Sequence, residues 1–264
     1  ETVSSAPEPD APVEASLTPD GVQLGDGQIV PGTAGALAFD WGPLPLPELP
    51  QGTLPANLYF LAADDAGTAQ VWELPTSGEP ARAVTRSGQA IVDYAIAAER
   101  VAYVTETELR FGALDGSDAQ SLATLVSGRV RPSVGVNGDA SQIAFSDGRG
   151  LWTIPADGSQ PPRLLVQNML DDDPATLRVY MRPRWNSDET QLLVTVGLYE
   201  GAMLGVVDIG TGAVTEVQAS TAQGQWTVDG RVAASSGAIG YSTPGLYVFD
   251  PAAPEAEPVT LLDA

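Results

Sequence analysis

The chain has 264 residues, 43% of them hydrophobic, and carries 34 acidic against 12 basic residues for a net charge of −22. Every basic residue is arginine, and neither cysteine nor histidine occurs. Those absences exclude disulfides, thiolate nucleophiles, cysteine- or histidine-ligated zinc and Ser-His dyads, and the acidic surface disfavours nucleic acid and polybasic contact with anionic lipid.

No stretch approaches the ~20 consecutive apolar residues of a membrane-spanning helix, and no charged-then-apolar leader opens the chain. If the protein is exported, Glu1 lies at or beyond the cleavage point. Residues 1–20 are rich in Ala, Pro, Ser and acids and read as an acidic tether. Residues 21–56 read as an N-terminal extension. It holds a small hairpin after the turn Thr18-Pro19-Asp20-Gly21, then a strand over Ala36 to Trp41. The alternating prolines from Gly42 to Pro50 forbid both helix and central strand, so this is an extended connector.

From Asn57 to the end, one pattern repeats. Runs such as Val71-Trp72-Glu73-Leu74, Leu109-Arg110-Phe111, Leu151-Trp152-Thr153-Ile154, Leu204-Gly205-Val206-Val207 and Leu246-Tyr247-Val248-Phe249 are strands followed by turns. The turns include Asp115-Gly116-Ser117 and Asp157-Gly158-Ser159, where Gly supplies positive φ and Asp bonds back to the backbone. A further strand follows each turn, and no segment holds helical periodicity over two turns. The column Tyr94, Val136, Trp185, Trp226 recurs with spacings of 42, 49 and 41 residues. A period near forty with four short strands per unit predicts an all-β chain, a β-propeller of four-stranded antiparallel blades. Five blades are expected over 57–264. The last repeat ends at Leu262 after its third strand, so the Ala36–Trp41 strand is expected to close it from the N-terminal side. Six blades, with residues 17–41 as a reduced blade, is one alternative; part of a longer propeller is another.

Trp185-Asn186-Ser187-Asp188-Glu189 and Trp226-Thr227-Val228-Asp229-Gly230, with the weaker Val136-Asn137-Gly138-Asp139, resemble the Trp-Ser-Pro-Asp-Gly-like turn of TolB-type and WD-like β-propellers. The resemblance covers about residues 57–264 and speaks for fold more than function, because propellers host enzymes, receptors and scaffolds alike.

The third repeat is stretched between Asn168 and Met181. Asp171-Asp172-Asp173-Pro174 leads into Arg178, Tyr180, Arg182, Arg184 and Trp185. If this is a regular strand, alternation puts Arg178, Tyr180, Arg182 and Arg184 on one face. Arginine forks beside an aromatic ring suit carboxylates, sugars and peptides, which makes these residues the partner-binding candidates. The plainer reading has Asp171, Asp172 and Asp173 pairing with the arginines to pin an inserted loop. The same aspartates have the hard oxygens calcium takes, but the alternating acids and following Gly of a calcium loop are missing. Turn acids in solvent are the reading adopted, and no metal or cofactor is expected. The tryptophans at repeat positions are expected in the core.

These observations favour a non-catalytic, extracytoplasmic propeller that binds a protein or peptide partner or scaffolds a cell-envelope assembly. Two alternatives stand beside it. One is a carboxylate-dependent glycan-active enzyme or lectin; the other is a structural subunit of a surface layer or filament that self-associates through residues 1–50.

Overall fold

The computed structural model describes residues 15–24, 27–30, 33, 38–41, 54–128, 130–170, 173, 175–217, 223–236, 245–254 and 256–263. Of the expected tether over residues 1–20, residues 1–14 lie outside these residues, as does the proline-rich connector at 42–50, while Ala15–Thr18 forms a strand because its backbone pairs with Gly21–Leu24. The chain divides into two compact units, Glu1–Arg86 and Ser87–Ala264.

The first unit begins with a hairpin of β1 (Ala15–Thr18) and β2 (Gly21–Leu24). A four-stranded antiparallel sheet follows in the order β3 (Ala38–Trp41), β4 (Leu58–Ala63), β5 (Ala69–Leu74) and β6 (Arg82–Ala83). Val22 and Val30 pack with Leu58, Phe60, Ala62 and Leu74, so the hairpin gives the sheet an apolar cover. Among the described residues of this unit one charge is buried. The Glu73 carboxylate accepts from Asn57 Nδ2 at 2.7 Å, Tyr59 Oη at 2.9 Å and Arg82 Nε at 2.7 Å. Burial, and then that bond to Glu73, push the Tyr59 phenol up to about 12.

The second unit holds four sheets of four strands. They comprise β7 (Asp93–Ala97), β8 (Arg100–Val104), β9 (Glu108–Ala113) and β10 (Gln120–Thr124); β11 (Ser133–Val136), β12 (Gln142–Asp147), β13 (Gly150–Pro155) and β14 (Arg163–Gln167); β15 (Val179–Trp185), β16 (Gln191–Gly197), β17 (Ala202–Asp208) and β18 (Val214–Val217); and β19 (Gly224–Trp226), β20 (Val232–Ser236), β21 (Gly245–Phe249) and β22 (Val259–Asp263). In each sheet the strands lie in chain order and pair antiparallel. The first strands adjoin between sheets, β11 packing against both β7 and β15 and β15 against β19, and so form the inner edge of this unit. With the sheet of the first unit, five four-stranded blades are present, and the fold is an all-β propeller. The described residues contain no helix, and hence none long and apolar enough to cross a membrane.

The second strand of each blade shows why these sequences are continuous apolar runs rather than alternating ones. Along β12, Ile143 and Phe145 pack toward Leu109 and Phe111 of the preceding blade, while Ala144 packs toward Leu192 and Val194 of the next. Along β16, Leu192, Val194 and Val196 face backward and Leu193 joins Leu204, Val206 and Val232. A strand between two neighbouring sheets has both faces in core, so period-2 polarity disappears.

The recurring turn joins the first and second strands. Asn137 O accepts from Ala140 N at 3.0 Å, Asn186 O from Glu189 N at 3.1 Å and Thr227 O from Gly230 N at 3.1 Å. The fourth turn position is left-handed in all three, with φ of 58° at Ala140, 58° at Glu189 and 79° at Gly230. That geometry is why the related turn favours Gly there. Asn137 and Asn186 add side-chain caps, their Oδ1 atoms accepting from Gln142 N at 2.8 Å and Gln191 N at 3.0 Å.

The expected closure is corrected. The β3 strand does complete a sheet, but as the partner of β4, with Ala38 opposite Leu61 and Trp41 opposite Leu58. The last sheet draws all four strands from its own repeat, because Gly224–Trp226 pairs with β20. The anchor residue ends its blade's first strand, so a repeat counted from the strand after the anchor comes out one strand short at the end. The reduced sixth blade is likewise a two-stranded hairpin, with one further bridge from Gln23 to Ile29.

Candidate functional site

The stretched third repeat does not present its arginines and tyrosine on one face. Arg178 precedes β15 and pairs by backbone with Met169. Its guanidinium is tied to Glu216 at 3.0 Å and to the Leu177 carbonyl at 2.9 Å. Tyr180 is buried in the core between two blades, among Ala144, Leu192 and Val207. Burial pushes its phenol up from the ordinary value. Its backbone N–H donates to Asn168 Oδ1 at 3.0 Å, and Asn168 in turn donates to the Asp147 carbonyl at 3.1 Å.

A bulge then breaks the alternation. Met181 faces Thr195 and Arg184 faces Leu193, so Arg182 and Pro183 together oppose the single residue Val194. Arg182 takes φ of 53°, sterically disfavoured for any residue with a Cβ. Pro183 turns inward and is buried, while Arg182 and Arg184 are exposed on either side of it. Two of the three expected arginines thus remain together. Asp173 accepts from Ala175 N at 2.9 Å through its carboxylate and caps a turn instead of pairing with an arginine. Asp171 and Asp172 lie outside the described residues.

The bulge is locked to the neighbouring blade. Arg182 N donates to Ser133 Oγ at 2.6 Å, and that hydroxyl shares a 2.7 Å bond with Ser146 Oγ. A Cβ on Gly135 would lie 2.1 Å from the Pro183 carbonyl oxygen, so β11 and β15 meet backbone to backbone there. The anchor tryptophans explain themselves at the same place. Trp185 Nε1 donates to the Gly135 carbonyl at 3.3 Å and Trp226 Nε1 to the Arg184 carbonyl at 2.9 Å. Both indoles are half-buried and bond from one blade's first strand to that of the blade before it.

Facing the bulge is a residue the sequence reading passed over. Asp93 opens β7, and its carboxylate accepts from Val134 N at 3.0 Å. Burial pushes this carboxyl up to about 6, against the lowering effects of the Val134 and Tyr94 N–H bonds and of the Arg182 and Arg184 charges. Asp93, Ser133 and Arg182 therefore stand at one level across three inner strands. Asp93 sits immediately before the anchor Tyr94, and that column position was the available signal. Among the described residues neither Arg182 nor Arg184 has an ion-pair partner within 4 Å, whereas Arg82, Arg110, Arg149, Arg178 and Arg231 do.

Three further acids are tied into the structure by their bonds. Asp157 and Asp208 hold turn backbone and sit below the ordinary carboxylate range through bonds from Ser159 and Thr211. Fully buried Asp147 accepts from Arg149 Nη2 at 2.7 Å and Trp152 Nε1 at 3.0 Å. Among the described residues no group of three acids is placed to hold a metal ion.

No protein-family model matches the chain, and no curated protein matches it. Solved structures do. TolB from Acinetobacter baumannii superposes with a TM-score of 0.56 at 16% identity, covering 81% of this chain and 54% of TolB. The extracellular domain of a hybrid two-component system protein from B. thetaiotaomicron gives 0.58 at 11% identity, over 96% of this chain and 32% of that one. An oligogalacturonate lyase in complex with manganese gives 0.56 at 11% identity, over 88% and 68%. This chain spans about half the length of the TolB structure. At these identities the likeness is one of fold, and the chain has the fold of a TolB-type β-propeller.

Proposed function

We propose that the protein is a non-catalytic, extracytoplasmic propeller that binds a protein partner through the inner-strand face at Arg182 and Arg184 and the inserted segment leading to it. The observation that carries this reading is the arginine pair itself. Two exposed guanidinium groups without ion-pair partners among the described residues stand together on a chain of net charge −22. A bulge with a left-handed arginine holds them there, and backbone of this sort persists where the surroundings over-determine it. The likeness to TolB, to a nidogen/laminin complex (TM-score 0.56) and to the extracellular domain of a two-component system protein supports binding outside the cytoplasm.

The test is site-specific photo-crosslinking in the native host. A crosslinker at exposed Met169 is expected to capture a defined envelope protein, and one at Val259, on the outer strand β22, is not. Capture of the same proteins from both positions, or of none, refutes the reading.

One observation favours a second reading as a glycan-active enzyme. A half-buried carboxyl with its proton affinity raised toward neutrality, set beside two arginines, is an arrangement that can take a proton next to a bound uronate, and an oligogalacturonate lyase is among the similar folds. Ultraviolet absorbance of an unsaturated product from oligogalacturonate, lost in Asp93→Asn, would establish it in place of the first.

A further inference from the structure

The bulge separates what β15 does with its backbone from what it does with its side chains. Arg182 N is held by Ser133 and the Arg184 carbonyl by Trp226, so the chain path is fixed at both arginines while their guanidinium groups face solvent. Across the inner edge both arginine charges act on the carboxylate of Asp93. Two positive charges therefore stand beside an internal negative charge that is itself costly to keep ionised. Such a cluster favours a second carboxylate, because guanidinium forks match carboxylate oxygens in pairs.

The geometry points to a carboxylate subsite formed by Arg182 and Arg184 beside Asp93, taking an Asp or Glu side chain of a partner peptide. It rests on the reading that the face binds a protein. A peptide with an isolated acid fits better than a polyanionic sugar, because a surface of net charge −22 repels a ligand charged at every residue far more than one charged once.

Asp93 gives the subsite its signature. The groups around it are Arg182 and Arg184 on β15, Ser133 and the Val134 N–H on β11, Tyr94 on its own strand, and on β8 Tyr103 and, at the far end opposite Ala97, Arg100. Below about 6 Asp93 is neutral and both arginines are released to the ligand, which itself stays charged down to about pH 4. Binding is therefore tightest near pH 5 and weakens by roughly three- to tenfold by pH 8, the range expected of one like charge a few ångströms away when water screens it at close to its bulk dielectric.

The experiment uses two pools of blocked pentapeptides, one with central Glu and one with central Gln. Binding is read from the indole N–H resonances of Trp185 and Trp226. The Glu pool is expected to shift both and the Gln pool neither. Arg182→Gln with Arg184→Gln should weaken binding at least tenfold, and Asp93→Asn should bind at every pH as the wild type does at pH 5. Arg184→Gln alone, which leaves the bulge residue in place, guards against misfolding and should still weaken binding severalfold. Equal shifts from the two pools, no shift from either, tighter binding of trigalacturonate, or a pH dependence that survives in Asp93→Asn each overturns the subsite. If the crosslinked partner from Met169 is captured equally by the double arginine variant, partner binding stands and the carboxylate subsite alone falls.

Discussion

Asp93 allows the sharpest test of the electrostatics, because its effect on stability runs opposite to that of most carboxylates in an acidic protein. Its carboxyl group is raised from 3.8 to about 6 in the folded chain. The folded state thus holds this proton more tightly than the unfolded state. Stability from the neutral form is fully present below the unfolded value and is lost as pH rises through about 6. Two pK units correspond to about 3 kcal/mol. Asp93 is only partly shielded from solvent, so relaxation and hydration reduce this to about 1–2 kcal/mol. Asp93→Asn keeps the shape and can still accept from Val134 N. At pH 8 the variant should be more stable than the wild type by that amount, and the two should converge only as pH falls below about 3.8. Urea denaturation of both proteins across this range isolates the term, since general self-repulsion among the other acids is common to both. A difference that does not change with pH, or a wild type that gains on the variant as pH rises, would refute the reasoning.

Fully buried Asp147 should behave in the opposite sense. Burial pushes it up, but bonds from Arg149, Val126 and Trp152 outweigh that and leave it below the ordinary range. Its contribution is present above the unfolded value and lost on acidification, and Asp147→Asn should cost about 2–3 kcal/mol at pH 7 in urea titrations. Trp226→Phe removes the indole bond to the Arg184 carbonyl and should cost about 1–2 kcal/mol by the same measurement. Gly135→Ala puts a Cβ 2.1 Å from the Pro183 oxygen, a backbone atom that cannot give way, so about 3 kcal/mol or failure to fold is expected. Gly138→Ala, whose nearest neighbour is the Glu189 carboxylate at 3.7 Å, should stay within about 1 kcal/mol. Arg182→Gly relieves the left-handed backbone and should raise the melting temperature, a gain of about 0.5–1 kcal/mol. A lower one would mean that the Arg182 guanidinium supports the fold.

Repetition made the fold legible. Trp185 and Trp226 end first strands, the polar turns follow them, and the apolar runs behind are the twice-buried second strands, so the anchor column read out the blades directly. What it could not supply was the boundary of a repeat, since a cyclic pattern of four strands can be cut at any strand. Cutting after the anchor sent Ala38–Trp41 to the wrong sheet. The site was half legible for a related reason. Alternation assumes a regular ladder, and nothing in Met181-Arg182-Pro183-Arg184 except the proline signals that two residues will face one. With the bulge, Tyr180 belongs to the core, Arg178 to an ion pair, and only Arg182 and Arg184 to the exposed face. Its place beside the anchor Tyr94 marked Asp93 but not its role, which depends on a residue 41 positions away, Val134, and on arginines two blades along.

The tryptophan bonds also bear on why a site should sit at this level of the propeller. Packing between blades is apolar and without direction, and it would tolerate small sliding of one sheet over the next. The donors Trp185 and Trp226, the Ser133–Arg182 bond and the close approach of Gly135 to Pro183 all act on the backbone of the inner strands and all fix registry. Registry is what a charge cluster spread over three blades requires. Asp93, on β7, is separated in sequence from Arg182 and Arg184, on β15, by the whole of the intervening blade, so a slip of one residue in either interface, about 3.3 Å, would move the carboxylate away from the guanidinium groups. The hydrogen bonds that make the four blades of this unit one ordered stack are therefore the same ones that hold two arginines and an aspartate within reach of each other. Loosening them through Trp226→Phe should weaken carboxylate binding more than the loss of stability alone accounts for.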